Sequence, residues 1–428
     1  MSRLSISGCI IVYTIVILSW GFCAESDSVQ GHCSKEDKDC TDVQGSADNN
    51  QIPSSRDAVK QRYSRGNNEK WNNILTEVET ALDNYAVRAK ELKSLPNGNC
   101  SLYWNLIEQD LSAFKEGITS HLVQTARSRG SFYQIIDGKL YRDSTCKFPT
   151  RCKGIEHFLK KIAKYIPNVE FVVNTSDWPQ ISSHFPEPLP VFSFSKTKDY
   201  ADIIYPAWTF WEGGPSISLY PKGIGRWDLL RQSITDAAKK YPWDKKEVKA
   251  FFRGSRTSSE RDALIYLSRK YPDLVDAQYT KNQAWKSDAD TLNAPAATEV
   301  SFEDHCKYKY LFNYRGVAAS FRFKHLFVCK SAVFHVGEDW IEFFYPELKP
   351  WVHYIPVNPN SDVNELRSLL QFAKENDQLV ASIAERGYSF IKKHLKMKHI
   401  LCYWKTLLLK YSKLLVYDVK KHEDVKLL

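Results

Sequence analysis

Apolar runs of strand length alternate with stretches of helical periodicity along most of this chain, and that alternation limits the folds open to it. Trp71, Ile74, Leu75, Val78, Leu82 and Tyr85 recur at helical spacing. A helical run over residues 155–165 leads into an apolar segment at 169–173, and an alternating segment follows at 191–195. A further helix is expected over about 226–239, ended by Tyr241-Pro242-Trp243. The scheme then repeats. Residues 250–253 read as a strand, and Thr257 and Glu260 stand at capping-box spacing before the periodic Leu264, Ile265 and Leu267. Strands are expected at 274–277, 307–313, 332–336 and 352–355, with a helix starting near Ala319 or Ser320 and a helical tail from Leu366. Strand and helix in alternation predict an α/β architecture with parallel sheet. Two such halves would set strand-end loops around a crevice. No repeat of solenoid length is present.

A chain of 428 residues has the length for two domains, and 43% hydrophobic with 25% charged residues is the balance of a soluble globular protein. The formal charge of +9 suits an anionic ligand such as a nucleotide diphosphate, or an acidic protein partner. No Lys/Arg block or Arg-rich repeat points to nucleic acid. Arg3, the apolar residues 10–20 and the small residues around Cys23 and Ala24 read as a signal peptide, too short to be a membrane anchor. Of the 10 cysteines, Cys9 and Cys23 fall in that segment, which leaves an even number suited to disulfides. Asn99-Cys100-Ser101 and Asn174-Thr175-Ser176 are N-glycosylation sequons and fit the same oxidising compartment. Residues 25–65 are polar, bury little and read as a flexible leader, in which Cys33 and Cys40 could close a small loop.

Four segments could carry chemistry. In Phe252-Arg253-Gly254-Ser255-Arg256-Thr257-Ser258-Ser259-Glu260-Arg261 a strand ends in a glycine turn, hydroxyls and a helix start, with arginines able to neutralise a diphosphate. The same run suits an ordinary βα turn with surface arginines. In Arg315-Gly316-Val317-Ala318-Ala319-Ser320-Phe321-Arg322 small residues let a ligand approach backbone amides, or pack a tight helix–sheet contact. Asp177 follows an apolar strand, where a carboxylate can take a proton from an attacking hydroxyl. A turn at Asp177-Trp178-Pro179 is the more usual role for an aspartate after a strand and, on the residues alone, the favoured one. Trp208-Thr209-Phe210-Trp211-Glu212-Gly213-Gly214-Pro215 offers an aromatic platform for a peptide or sugar, or simply core. Asp288-Ala289-Asp290 is rejected as a metal site because Lys286 and Ser287 set it in a polar stretch, not at a strand end.

Longer runs settle what local spacing leaves open. From about Trp71 to Trp404 the chain resembles the protein O-glucosyltransferases, the Rumi-like branch of the capsule-associated O-glycosyltransferases. The resemblance rests on Tyr205-Pro-Ala-Trp-Thr-Phe-Trp-Glu-Gly-Gly-Pro215, Phe252-Arg-Gly-Ser-Arg-Thr257, Tyr279-Thr-Lys-Asn-Gln-Ala-Trp285 and His305-Cys-Lys-Tyr-Lys-Tyr-Leu-Phe-Asn313, continued by Phe321-Arg-Phe-Lys-His-Leu326 and Phe343-Phe-Tyr-Pro346. It implies a GT-B-type fold of two Rossmann-like domains facing a cleft, with C-terminal helices returning to the first. It also implies metal-independent, inverting transfer of glucose from UDP-glucose to a serine of folded EGF-like repeats, within C-x-S-x-P/A-C, Notch-type receptors among the acceptors.

By the same resemblance Asp177 is the general base, and Tyr220, Ser255, Arg256, Thr257, Arg261, Val317, Ala318, Ala319, Ser320, Phe321 and Arg322 match donor-binding positions. Lys147, Phe148, Pro149, Thr150 and Arg151, with Ser216, Ile217, Ser218, Leu219 and Pro221, match segments that meet the EGF-like acceptor. Cys146–Cys152, Cys306–Cys329 and Cys100–Cys402 match family disulfides, whereas Leu102 stands where relatives carry a cysteine.

The expected organisation is a signal peptide at 1–24, a leader at 25–68, an acceptor-side domain at 69–235, a donor domain at 236–360 and returning helices at 361–428. The expected location is the endoplasmic reticulum lumen. The chain ends in Val425-Lys-Leu-Leu428, not in a KDEL-like signal, so secretion stands as the alternative. Two functional alternatives stand beside glucosyl transfer: a UDP-xylose-using transferase acting on the same serine, and a weakly active folding assistant that binds EGF-like repeats.

Overall fold

The computed structural model describes residues 69–96, 99–221, 223–282 and 284–428; the signal peptide, the leader and Cys9, Cys23, Cys33 and Cys40 lie outside them. Helices α1 (Asn72–Ser94), α2 (Trp104–Leu111) and α3 (Ser120–Ala126) precede a hairpin of β1 (Ser131–Ile136) and β2 (Lys139–Arg142). Asp137 and Gly138 turn that hairpin at φ of 49° and 73°, the left-handed pair that a two-residue turn between twisted strands requires. Then come α4 (Pro149–Ile162), β3 (Val169–Val173), β4 (Val191–Ser193) and β5 (Ile203–Ile204). Next are α5 (Trp227–Lys240), β6 (Glu247–Gly254), α6 (Asp262–Lys270), β7 (Val275–Tyr279) and α7 (Phe302–His305). β8 (Tyr308–Asn313), α8 (Phe323–Val328), β9 (Ala332–Val336) and β10 (Ile355–Val357) follow. The chain closes with α9 (Val363–Glu375), α10 (Asp377–His394), α11 (Met397–Ser412) and β11 (Lys426–Leu427).

The protein is α/β, with its strands in two sheets. The second, ordered β10-β9-β8-β6-β7, is parallel throughout. The first, ordered β11-β2-β1-β3-β4-β5, is mixed: β3, β4 and β5 run parallel, while β1, β2 and β11 pair antiparallel. The alternation of strand and helix predicts parallel sheet only; the hairpin, carried by the Asp137-Gly138 turn, and the returning β11 are what it misses.

Side chains of the second sheet divide by the strand's period of two. Phe251, Leu311 and Val333 face the larger core, which also packs the first sheet, α8 and α11. Ala250, Phe252, Tyr310, Phe312, Ala332 and Phe334 face a second core with Val78 of α1, Leu264 of α6 and Leu366 and Leu370 of α9. Burial on both faces explains why these strands read as continuous apolar runs. α10 spans both cores, placing Leu379, Val380 and Ile383 in one and Phe390 and Ile391 in the other.

α11 packs on α2 and α4 of the first half. Cys100–Cys402 ties it there across a sequence separation of 302. α1 leans the other way: Trp71, just before it, meets Phe372 of α9 edge-on at 5.6 Å, and its Glu77 accepts a bond from Trp351 Nε1 at 2.8 Å.

Local chemistry fixes the boundaries. Asp362 caps α9 through Asn364 and Glu365, and Glu365 returns a bond to the Asp362 amide at 3.0 Å. The capping box expected of Thr257 and Glu260 does not form. Glu260 pairs with Arg315 at 2.8 Å instead, and α6 begins at Asp262 after a tight turn over Ser259–Arg261. Likewise α8 starts at Phe323, three or four residues later than expected, because the stretch before it stays an irregular loop.

Candidate functional site

The C-terminal ends of the parallel strands of both sheets converge. A cavity of about 430 Å³ lies between them, lined by Trp178 and Thr197–Asp199 from the first half. Glu260, Arg315, Ala319, Ser320, His335–Gly337 and Trp340 line it from the second. Such a crevice beyond the carboxyl ends of strands is where open α/β sheets bind ligands. The halves touch at its floor: Ile341 and Lys196 exchange backbone bonds, and the Ala319 amide donates to Ser195 Oγ at 3.4 Å. Trp178 meets Trp340 edge-on at 4.9 Å.

Asp177 lies in the loop after β3. Asn174 shapes that loop, its Oδ1 accepting from the Ser176 amide at 2.8 Å and its Nδ2 donating to the Trp178 carbonyl and Ser193 Oγ. Asn174 is 2% exposed, so this sequon cannot carry a glycan without unmaking the loop. The Asp177 carboxylate is 39% exposed and pairs with Arg151, with Nη1 at 3.1 Å from Oδ1 and Nη2 at 3.5 Å from Oδ2.

Arg151 comes from the first turn of α4, where Pro149 presets the backbone and Cys146–Cys152 closes the preceding loop. Gly213, at φ +86°, lets the 213–225 loop press on this turn; a Cβ there would meet the backbone of Thr150 and Arg151 at 2.8 Å. Lys147, Pro149 and Thr150, with Ser216, Ser218, Leu219 and Pro221 on that loop, are exposed. Phe148 and Ile217 are partly covered. The two segments expected to meet an acceptor thus share one solvent-facing rim beside Asp177. Glu299 of the second half holds the rim loop by accepting from the Ser218 amide at 2.7 Å.

The second half carries two arginines that do not line the cavity themselves but adjoin residues that do: Arg261 follows Glu260 and bonds the Arg315 carbonyl, and Arg322 lies two residues past Ser320. Arg261, 3% exposed, donates to the carbonyls of Ser255 and Arg315 and leaves Nε unbonded. Arg322 donates to the Arg253 carbonyl at 2.6 Å. Gly254 makes its room, since a Cβ there would sit 2.8 Å from Arg322 Nη2. Among the described residues no carboxylate pairs with either. Burial pushes the Arg261 guanidinium down to about 10. Burial, with Arg261 as a neighbouring cation, pushes Arg322 down to about 9. Both stay charged at neutral pH, held in a site that disfavours charge. Val317 is exposed, Ala318, Ala319 and Ser320 are buried, and Phe321 turns inward to Phe194 at 5.0 Å and Trp208 at 5.7 Å.

Trp208 joins the two walls, because Arg151 lies over its other side at 4.5 Å. A single aromatic partition, Phe194, Trp208 and Phe321, therefore has the Asp177–Arg151 pair against one part and the loop leading to Arg322 against another. Trp208 belongs to the aromatic run picked out in the sequence; its link to Asp177 runs through Arg151, which no spacing reveals.

The remaining expected donor positions are spread out. Ser255 and Thr257 line a second cavity of about 360 Å³ with Ser258, Thr280, Asn282 and Trp285. Arg256 lines it too but is engaged by Asp262 at 2.9 and 2.6 Å. Tyr220 stacks on Phe302 at 5.8 Å and accepts its amide at 3.4 Å. Asp290 caps its own turn by accepting from the Lys286 and Ser287 amides. Among the described residues no group of three or more His, Cys, Asp or Glu is placed to hold a metal ion, and no helix is long and apolar enough to cross a membrane. Among the described residues three disulfides form: Cys100–Cys402, Cys146–Cys152 and Cys306–Cys329.

Beside this crevice the first half holds a carboxylate and the second two arginines with no carboxylate partner among the described residues. The chain belongs to glycosyl transferase family 90, which it matches over residues 95–428, and it is a glycosyltransferase. It is 58% identical over 328 residues to the O-glucosyltransferase rumi homolog of Aedes aegypti, covering 76% of this chain and 82% of that one. Protein O-glucosyltransferase 1 of Homo sapiens is 52% identical over 375 residues, 87% of this chain and 92% of that one. O-glucosyltransferase rumi of Drosophila melanogaster is 55% identical over 332 residues, 77% and 81% of the two chains. Among solved structures, Anabaena HepE with UDP and glucose is similar at a TM-score of 0.29 and 12% identity, over 42% of this chain and 51% of that one, too slight a likeness to carry an argument.

Proposed function

We propose that this chain transfers glucose from UDP-glucose to a serine hydroxyl of folded EGF-like repeats, those of Notch-type receptors among them. One observation carries the reading: Arg261 and Arg322, which among the described residues have carbonyls and the Phe252 ring but no carboxylate for partners, adjoin Glu260, Arg315 and Ser320 on one side of the cavity, and Asp177 directly precedes Trp178 on the other. A diphosphate supplies the anion these cations lack. The names of the relatives support glucose as the sugar and protein as the acceptor.

The chemistry needs one base. Asp177 takes the proton of the serine hydroxyl as its oxygen attacks C1 of the α-linked glucose from the face opposite UDP. The C1–O bond to the β-phosphate breaks, UDP leaves with the electron pair, and a β-glucoside remains. Arg261, Arg322 and the amides around Ala319 and Ser320 stabilise the charge that builds on the leaving diphosphate. We read the two sheets as halves of a GT-B-type fold, with 69–235 on the acceptor side, 236–360 on the donor side, and the last helices returning to the first. The three disulfides support an oxidising compartment, the endoplasmic reticulum lumen.

The test is transfer by the full chain to one folded EGF-like repeat offered UDP-glucose and UDP-xylose together, read as added mass. Asp177→Asn is expected to slow hexose transfer by about 10²- to 10⁴-fold. Undiminished transfer by that variant removes Asp177 as base. A pentose in place of the hexose moves the proposal to a xylosyltransferase.

A further inference from the structure

Arg151 stands at the edge of the acceptor rim, yet its side chain turns inward. Its Nη1 lies 3.1 Å from Asp177 Oδ1 and its Nη2 lies 3.5 Å from Oδ2, so the guanidinium spans both carboxylate oxygens. Nη1 also donates to the Thr175 carbonyl at 2.7 Å, in the same loop as Asp177. The guanidinium carbon lies over two rings, Phe148 at 4.4 Å and Trp208 at 4.5 Å. With 19% of its side chain exposed, it presents less surface to an incoming acceptor than Asp177 does.

We infer that Arg151 is a positioning residue: it holds the Asp177 carboxylate in the orientation from which one oxygen reaches the acceptor hydroxyl. This deepens the proposed function and rests on Asp177 being its base. An aspartate has free rotation about two bonds, and a carboxylate 39% exposed at a loop tip has little packing to stop it. A guanidinium fork matches both oxygens in one plane and so fixes that rotation, which an ammonium cannot do. Everything that fixes Arg151 is itself fixed. Cys146–Cys152 closes its turn, the Gly213 backbone presses on it, and Trp208 is buried against Phe321 from the donor side. The same indole that limits where the donor loop lies thus limits where the base points.

A residue that merely bound acceptor would be felt in KM, and one that merely held the fold would be felt in stability. A positioning residue is felt in kcat. Arg151→Ala is expected to lower kcat by about 10²-fold, the loss that misplacement of a reacting group brings, with the acceptor KM changed less than about threefold. Guanidinium chloride at tens of millimolar is expected to restore part of that kcat, and ammonium chloride at equal ionic strength none of it. Arg151→Lys, which keeps the charge and loses the fork, should fall between, again in kcat.

UDP affinity measured by calorimetry on each variant reports whether the cleft is intact. If Arg151→Ala does not fold, the lysine variant decides by the same split. A raised acceptor KM with wild-type kcat overturns the inference and returns Arg151 to acceptor contact; unchanged kinetics overturn it as well. Failure of the underlying reading looks different: Asp177→Asn would then transfer at the wild-type rate, whatever Arg151→Ala does.

Discussion

The two walls of the cleft hold charge in opposite states of completion. On the acceptor side Asp177 and Arg151 neutralise one another in the ligand-free protein. On the wall proposed to hold the donor, Arg261 and Arg322 have carbonyl partners and, among the described residues, no carboxylate. A finished pair can be rigid before any substrate arrives, whereas enclosed unpaired cations are a standing cost that a diphosphate removes on binding. On the proposed assignment, the acceptor wall serves geometry and the donor wall affinity.

That contrast breaks if single substitutions on the two walls behave alike. Asp177→Asn is expected to lose about 10²- to 10⁴-fold in turnover and leave binding of UDP untouched. Arg322→Met should instead weaken UDP binding, as read in a melting experiment. With UDP at a hundred times its Kd the wild type gains about 2.7 kcal/mol, and the variant should gain almost none. Without ligand the variant should be no less stable than wild type, since a flexible apolar side chain replaces an enclosed cation. A large loss of ligand-free stability would mean that Arg322 is a structural strut and not an anion site.

The disulfides sharpen the same comparison. Cys100–Cys402 closes a loop of 302 residues far from the rim, while Cys146–Cys152 closes one of 6 residues directly before Arg151. Replacing both cysteines of the long loop with alanine should cost about 2–5 kcal/mol in denaturant unfolding, with turnover of the folded fraction little changed. Breaking the short loop constrains the unfolded chain far less. It frees the turn that carries Arg151, so turnover should fall by more than stability does. Equal losses in both measures for both bridges would erase the distinction between scaffold and site.

How far the sequence could be read follows the same divide. The parallel sheet and its loops were legible because strands covered on both faces leave unbroken apolar runs, as at Ala332–Val336. The mixed edge of the first sheet was missed, since β2 and β11 are short and partly exposed and the Asp137-Gly138 turn of the hairpin was not read. Asp177 was picked out behind a strand, Arg261 and Arg322 in runs leading into helices, and the family resemblance gave all three their roles. What they pair with was not legible. Arg151 lies 26 positions from Asp177, and Glu260 could satisfy a capping pattern or an arginine; only the fold brings Arg315 close enough to win. Spacing records local bonds, and the charge state of this site is set by distant ones.

Acidification should separate the walls most gently. His305, His335 and His353 are buried in and around the second sheet, and burial pushes them down to about 4, 3 and 3. An ordinary histidine titrates near 6.5, so below that pH the unfolded chain takes up protons that these folded sites refuse. Stability they contribute is full above about 6.5 and is lost as pH falls toward about 4, by up to ~1.4 kcal/mol per pH unit for each histidine. Urea unfolding at pH 7, 6 and 5 should show the stability falling at each step, and His335→Asn should flatten the slope. Hydrogen exchange at pH 5 is expected to loosen amides of β8 and β9 before those of β3, beside Asp177. Loosening of β3 first would place the acid-sensitive element beside Asp177 and contradict the expectation drawn from His305, His335 and His353.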